Sequence, residues 1–299
     1  MDRPTRHWIA VSSVCLLLGG LVGLRAVTEP RNDFRFSIIG DRTGGAQAEI
    51  YGRVWREVDL LHPDFVINVG DTIEGGNDQT AEKEWIEMRP FWEKYKHYPL
   101  YFTAGNHDVF SDTSRKLYER ETKRPAFYSF DYQEAHFTVL DNAEQNELPD
   151  SQLAFLTKDL EENKGKNPKF VFFHRPLWLP YAKFKTRDFE LHRIAKRYGV
   201  SYIISGHGHQ FVRAVNDGIV YMEVGSSGGF MKGLARGEGF KEGWFYHHVW
   251  ARVKGSKIEF TVKEIDGKGQ GRMFRAEEWG DSGPTFDITD PASTEKPRG

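Results

Sequence analysis

The sequence predicts an α/β protein, and two observations lead there. From Phe34 onward, apolar runs of strand length alternate with segments of helical periodicity, as in βαβ units. Five of the runs stop at side chains that bind metals, and open α/β sheets place their ligands at such carboxyl ends of strands. Phe36-Ser37-Ile38-Ile39-Gly40 stops at Asp41, Phe65-Val66-Ile67-Asn68-Val69-Gly70 at Asp71, and Phe170-Val171-Phe172-Phe173 at His174. Two further runs lead into Gly105-Asn106-His107-Asp108 and Gly206-His207-Gly208-His209. Asp, Asn and Gly also fill ordinary turns, so one such ending carries little weight. The ordered set of five is a different matter, and its two His-rich strings identify a binuclear metal site.

Taken in order, Gln47 to Leu61 reads as the first crossover helix, stopped by His62-Pro63. Thr80 to Tyr95 reads as a second helix, with a break expected at Pro90. Phe110 to Pro125 is charged and polar, which suits a loop or short helix near the site. Phe127 to Phe130 and His136 to Leu140 have the pattern of a hairpin. Leu153, Leu156 and Leu160 make Asp150 to Glu162 an amphipathic helix, and Leu191, Ile194, Ala195 and Tyr198 mark another, capped by Gly199. After the His pair, Gly218 to Val224 leads into Gly225-Ser226-Ser227-Gly228-Gly229. That glycine run lacks the Lys-Ser/Thr ending of a P-loop and fits no dinucleotide fingerprint, so it reads as a tight loop under the metal site. Tyr246 to Val253 and Lys257 to Ile265 alternate strongly and form a hairpin over Lys254-Gly255-Ser256.

The 299 residues suffice for one large domain, and 41 basic against 43 acidic side chains leave a formal charge of −2. With no long basic run and no aromatic-basic alternation, nucleic acid is not the expected partner. Cys15 is the only cysteine, so disulfides do not hold the globular part together. Trp8 to Leu24 is uncharged and mostly apolar, preceded by Arg3 and Arg6 and followed by Arg25. Its length lies between a signal peptide and a membrane-spanning helix, and the poor cleavage pattern near Ala26-Val27-Thr28 favours an uncleaved anchor. The expected organisation is therefore a signal-anchor or signal peptide over 1–30, a catalytic domain over 31–275 and a flexible polar tail over 276–299. The large domain is expected outside the cytoplasm, membrane-anchored or secreted.

Carboxylates, imidazoles and an Asn oxygen suit borderline or hard divalent ions such as Mn, Fe and Zn, and exclude a thiolate site. Two such ions sharing a carboxylate generate a hydroxide nucleophile and clamp a phosphoryl oxygen, so phosphate ester hydrolysis is the natural chemistry.

In these motifs the chain resembles the calcineurin-like metallophosphoesterase superfamily, which includes purple acid phosphatases and bacterial phosphodiesterases. The resemblance spans roughly Phe34 to Asp266. The family's blocks run Asp-x-His, Gly-Asp-x-x, Gly-Asn-His-Asp/Glu, a lone His and Gly-His-x-His, and four of the five stand here unaltered. The resemblance implies two facing mixed β-sheets flanked by helices, a four-layer α/β/β/α sandwich. It implies two divalent metal ions, with Asp71 bridging both, Asp41 and His209 on the first, and Asn106, His174 and His207 on the second. His107 would contact the substrate and donate a proton to the leaving oxygen, with Asp108 orienting it. The first block departs from the pattern, because Thr43 stands where the metal-binding His is usual. Purple acid phosphatases also lack that His and carry Tyr at the fourth position of Gly-Asp-x-x-Tyr, where this chain has Glu74. Glu74 is accordingly a candidate replacement ligand, or else a residue outside the coordination sphere. Arg42 is a candidate for pairing with the substrate phosphate, or else a solvated loop residue; Arg175 calls for the same choice.

The expected function is metal-dependent hydrolysis of a phosphoric monoester or diester. The altered first block motivates an alternative, a degenerate member that binds a phosphorylated ligand or protein without turnover. Selectivity is expected in the loops Ser111 to Arg124, Trp178 to Arg187 and Phe230 to Phe245. There Trp178, Tyr181, Phe184 and Trp244 could meet a substrate or cap the core.

Overall fold

Strands buried on both faces need apolar side chains on both, and the central runs of this chain supply them. The structure, a computed structural model, describes residues 32–184, 186, 188–231, 239–266, 271–279 and 285–287. Its elements are β1 (Asp33–Ile39), α1 (Ala48–Leu61), β2 (Phe65–Asn68), α2 (Asp78–Lys94), β3 (Leu100–Phe102), α3 (Asp112–Thr122), β4 (Tyr128–Tyr132) and β5 (Ala135–Val139). There follow α4 (Asp150–Glu162), β6 (Lys169–Phe172), α5 (Leu179–Lys183), α6 (Glu190–Tyr198), β7 (Tyr202–Ser205), β8 (Phe211–Asn216) and β9 (Ile219–Val224). The last are β10 (His247–Lys254), β11 (Lys257–Glu264), β12 (Met273–Arg275) and β13 (Thr285–Asp287).

Among the described residues these strands make a six-stranded sheet, order β12-β11-β10-β1-β2-β3, and a seven-stranded one, order β13-β8-β9-β7-β6-β5-β4. Both are mixed: β1, β2 and β3 run parallel while β10 is antiparallel to β1, and β5, β6, β7 and β9 run parallel while β4 is antiparallel to β5 and β8 is antiparallel to β9 but parallel to β13. The sheets face each other across an aromatic core. Phe36 stacks on Phe65 at 5.0 Å and meets Phe137 edge-on at 5.6 Å, and Phe137 stacks on Phe170 at 4.7 Å. Alternation along β1 sends Phe34, Phe36 and Ile38 into this core and Ile39 to the opposite side, against Tyr51, Val54 and Trp55 of α1 and Trp85 of α2. On the other sheet, Val171 and Ile203 pack outward against Leu156 and Leu160 of α4 and Leu191 and Ile194 of α6. The result is the expected order of layers: helix, sheet, sheet, helix.

Several local expectations are corrected. The break at Pro90 does not occur, since α2 runs through it. Proline forfeits one backbone bond, but Trp85 and Met88 stay buried on the core side and Tyr95 N–H still closes on the Phe91 carbonyl at 3.2 Å. Of the two alternatives for Phe110 to Pro125, the helix is the one that forms: α3, started by a capping box between Ser111 and Ser114. β8 was not anticipated; it pairs with β9 through a turn at Asp217 and Gly218, both of positive φ. At the start of the stretch expected as a tail, Ala276 and Trp279 are buried, with Trp279 edge-on to Phe211 at 5.2 Å, so the central core reaches Trp279. Among the described residues no helix is long and apolar enough to cross a membrane, and the segment Trp8 to Leu24 lies outside them.

Of the histidines outside the motif blocks, His136 has a structural task. Its Nε2 lies 2.9 Å from Asp159 Oδ2 and its Nδ1 2.7 Å from Asp131 Oδ1, while Ser129 and Thr138 hydroxyls donate to Asp159 at 2.7 Å. Burial alone would depress His136, but Asp159 and Asp131 outweigh it and hold the imidazole above its ordinary 6.5. Burial opposes ionisation of Asp159, yet His136, Ser129 and Thr138 hold it below its ordinary 3.8. The His136 contribution to stability is therefore complete below the ordinary imidazole value and fades as pH rises through the raised one. That of Asp159 is complete above the ordinary carboxylate value and fades as pH falls through the lowered one. Urea unfolding from pH 5 to 9 should show wild type losing its advantage over His136→Gln toward the alkaline end. Asp159→Ala, which strands His136, Ser129 and Thr138, should cost about 3 kcal/mol at neutral pH.

Candidate metal centre

Each of the five polar strand ends arrives at one place. Asp41 follows β1, Asp71 follows β2, Asn106 and His107 follow β3, His174 follows β6, and His207 and His209 follow β7. All five strands are parallel members of their sheets, so their carboxyl ends share one side of the sandwich. The close approach requires glycine. A Cβ on Gly70, whose φ is +110°, would lie 2.4 Å from His174 Nδ1, and one on Gly105 would lie 2.2 Å from Asp71 Oδ1. Three of the converging residues, Asp71, His207 and His209, hold left-handed backbone at φ 55°, 78° and 55°. Such conformations are uncommon for residues with a side chain and cluster at functional sites.

Two groups of donors result: Asp71 with His174 and His207, and Asp41 with Asp71 and His209, the candidate ligand atoms of each lying within 4.8 Å of one another. Asp71 belongs to both. Asn106 joins the first group, its Oδ1 standing 3.1 Å from His174 Nε2. That nitrogen is also 3.3 Å from Asp71 Oδ2 and 3.2 Å from His207 Nδ1. Surrounding carbonyls fix two of the rings. His174 Nδ1–H donates to the Val69 carbonyl at 2.9 Å and His209 Nδ1–H to the Phe230 carbonyl at 2.9 Å, which leaves Nε2 of each for the centre.

The donor set fits divalent cations. Its atoms are carboxylate and amide oxygens and imidazole nitrogens, without thiolate. The pocket also favours positive charge: burial opposes protonation of His174, but Asp71 and Asp41 outweigh it and hold the imidazole up to about 9. Burial, with His174 and Arg175 adding to it, pushes His207 down to about 4 and keeps it neutral. Asp71, despite full burial, is held well below the usual carboxylate range by His174 and His107.

The remaining anticipated residues divide. His107 flanks the centre: its N–H donates to Asp71 Oδ1 at 2.9 Å, and a Cβ on Gly44 would lie 2.8 Å from His209 Cε1 and 3.9 Å from His107 Nε2. Asp108 does not orient it. Both Asp108 oxygens accept backbone amides, Oδ1 from Thr72 at 2.7 Å and Ile73 at 3.2 Å, Oδ2 from Gly105 at 3.1 Å. His107 Nδ1–H donates instead to the main-chain carbonyl of Glu74. Burial and the neighbouring Asp71 push Asp108 up to about 7. Glu74 stands outside both donor groups, with its carboxylate accepting the amides of Gly45 at 3.1 Å and Ala46 at 2.7 Å. Thr43 is buried beside it, and its N–H donates to the Asp71 carbonyl at 3.2 Å. Arg42 turns to the Thr72 carbonyl, 2.8 Å from Nη1, and lies over the Tyr51 ring. Arg175 is the arginine beside the donors, with Nη1 3.4 Å from His207 Nε2.

Two functional residues were missed. Asn142, just past β5, receives the amides of His174 at 3.1 Å and Arg175 at 2.9 Å and donates to the Arg175 carbonyl at 2.8 Å. The signal was present, because the run His136 to Leu140 also ends in a polar pair, Asp141-Asn142. Glu223, the lone acid in the apolar strand β9, is fully buried beneath the His207–His209 turn, where a Cβ on Gly208 would lie 1.9 Å from its Oε1. Burial, with Asp41 adding to it, pushes Glu223 up to about 8.

A family model described as calcineurin-like phosphoesterase matches residues 34–211. No curated protein matches the chain significantly by sequence. Among solved structures, a purple acid phosphatase from yellow lupin superposes with a TM-score of 0.57 at 15% identity, over 86% of this chain and 54% of the lupin chain. This chain thus spans about half the length of the lupin enzyme. GAP50, described as the anchor in the inner membrane complex of Plasmodium, superposes with a TM-score of 0.54 at 14% identity, over 81% of this chain and 88% of that one. These likenesses are likenesses of fold.

Asn142→Ala removes an acceptor shared by the buried His174 amide and the partly buried Arg175 amide, and should lower the unfolding free energy by about 2 kcal/mol in urea titration.

Proposed function

The chain belongs to the calcineurin-like phosphoesterase family, and from that premise we propose that it hydrolyses phosphoric monoesters or diesters at a pair of divalent metal ions. The observation that carries this reading is the pair of donor groups joined through Asp71 with His107 at their side. In it, Asp41, Asp71 and His209 would hold the first ion, and Asp71, Asn106, His174 and His207 the second. The donor set suits Mn, Fe or Zn. When bound, the ions supply a nucleophile at neutral pH and Lewis-acid stabilisation of phosphoryl charge. His107 keeps its Nδ1 proton on the Glu74 carbonyl, so its Nε2 is the atom placed to deliver a proton to the leaving oxygen. Because both Glu74 oxygens are engaged with loop amides, the role that fits Glu74 is shaping residues 43–46 rather than replacing the absent histidine. The first position would then offer three protein donors, Asp41, Asp71 and His209, against four at the second.

Thr43 in the first block supports one competing reading, binding of a phosphorylated ligand without turnover. Metal analysis combined with assays on p-nitrophenyl phosphate and bis-p-nitrophenyl phosphate separates the two. Two bound ions with hydrolysis support the enzyme; full loading with no turnover on either ester supports the binding protein. Asp71→Asn should lower metal content at both positions and abolish hydrolysis, while Glu74→Ala should leave the metal stoichiometry unchanged. His107→Ala should retain its metal and lower kcat by about 10²-fold or more.

For location, the apolar stretch Trp8 to Leu24 behind Arg3 and Arg6 supports an exported domain, secreted or held at a membrane. Alkaline carbonate extraction of membranes should retain an anchored form and release a cleaved one.

A further inference from the structure

Across Arg175 from the donor groups lies a cavity of about 470 Å³, walled by Asn146, Leu148, Leu177, Pro180, Tyr181 and Phe189. Arg175 links the two places. One guanidinium nitrogen, Nη1, stands 3.4 Å from His207 Nε2 and 3.3 Å from Asn146 Oδ1, and Nε–H donates to the Ala143 carbonyl at 2.8 Å. The peptide that carries His174 into the centre continues directly into the cavity wall, since Leu177 follows three residues later and its N–H turns back to the Arg175 carbonyl at 2.7 Å. Within the cavity, Tyr181 stacks on Phe189 with ring centres 4.2 Å apart and planes 9° from parallel. Phe189 is 6% exposed and Tyr181 37%, so Phe189 backs a ring that is itself open to a ligand.

The other aromatics of the candidate specificity loops are otherwise occupied. Trp178 is buried and donates from Nε1 to Ser205 Oγ at 3.1 Å; Trp244 packs against the cluster around α1; Phe184 is 81% exposed and away from the cavity walls. The rim chemistry narrows the ligand further. Glu147, Asp150 and Glu190 also line the cavity, and among the described residues Glu190 alone of these has a close cation, Arg193 at 2.5 Å. A second phosphate or other anion would meet repulsion there, whereas an uncharged ring would meet Tyr181 and the Leu148 and Leu177 side chains. The volume lies within the range of small-molecule sites.

We propose that this cavity receives the organic portion of the substrate, an uncharged, ring-bearing alcohol esterified to the phosphate that sits at the metal centre. Arg175 stands between the two places, its Nη1 reaching His207 on one side and Asn146 on the other. This inference rests on the phosphoesterase reading for the identity of the phosphate site. A residue at the open ring decides between substrates, so Tyr181 is specificity-determining.

The test uses the full-length, metal-loaded protein and two esters, 1-naphthyl phosphate and glycerol phosphate, with 1-naphthylphosphonate and methylphosphonate as non-hydrolysable counterparts. Tyr181→Ala should lower kcat/KM for 1-naphthyl phosphate about fivefold and leave that for glycerol phosphate unchanged, while Tyr181→Phe keeps both. Calorimetry should show the same loss for 1-naphthylphosphonate and none for methylphosphonate. Equal effects on both members of a pair, or no effect on either, would overturn the subsite even if hydrolysis is robust. Ring-selective phosphonate binding without any turnover would uphold the subsite and reject hydrolysis instead. Absence of both binding and turnover would sink the two together.

Discussion

A carboxylate taken fully out of water has to find compensating charge and hydrogen bonds, and Asp71 finds them from two directions while its main-chain carbonyl ties down a third segment. Its Oδ1 accepts the His107 amide, its Oδ2 faces His174 Nε2, and its own carbonyl accepts the amides of Arg42 and Thr43. The loops after β1, β3 and β6 are thereby referred to a single side chain and its backbone. The left-handed conformation of Asp71 permits this, because it turns the carboxylate back over the strand end while the carbonyl points to the neighbouring loop. Gly70 and Gly105 clear the space on either side.

That convergence depends in turn on how the two sheets meet. Asp41, Asp71 and Asn106 belong to one sheet, His174, His207 and His209 to the other. Nothing local to either sheet sets the separation between these sets. The aromatic layer does, with Phe36 and Phe65 from one side against Phe137 and Phe170 from the other. Rigid rings keep a nearly fixed thickness, which holds donors from opposite sheets within bonding distance of common points.

Much of this was legible beforehand because it is local. A strand end, the glycine before it and the ligand after it lie within a few residues, so Asp41, Asp71, Asn106, His174, His207 and His209 could be read as a set. Helix and strand positions followed from periodicity where one face was clearly apolar, as in α4 and β1. Residues acting at long range escaped. Asn142 matters only because β5 lies beside β6, and Glu223 only because β9 runs beneath the turn after β7. Pro90 misled because its backbone cost is local, while the packing of Trp85 and Met88 that overrides it is tertiary. The polar composition after Arg275 concealed Trp279 in the same way. Asp108 and Glu74 were found as positions, but their partners are backbone amides, which no side-chain motif reveals.

The tie between His107 and the Glu74 carbonyl has a consequence for how this protein can vary. Every amino acid brings a main-chain carbonyl, so the ring beside the donor groups is held by an atom that no change of side chain at position 74 can delete. The carboxylate of Glu74, on the amides of Gly45 and Ala46, is by contrast free to drift or be exchanged. One residue therefore carries a heritable constant and a heritable variable. Evolution can retune the loop that follows β1 at this position while the orientation of His107 is passed on unaltered.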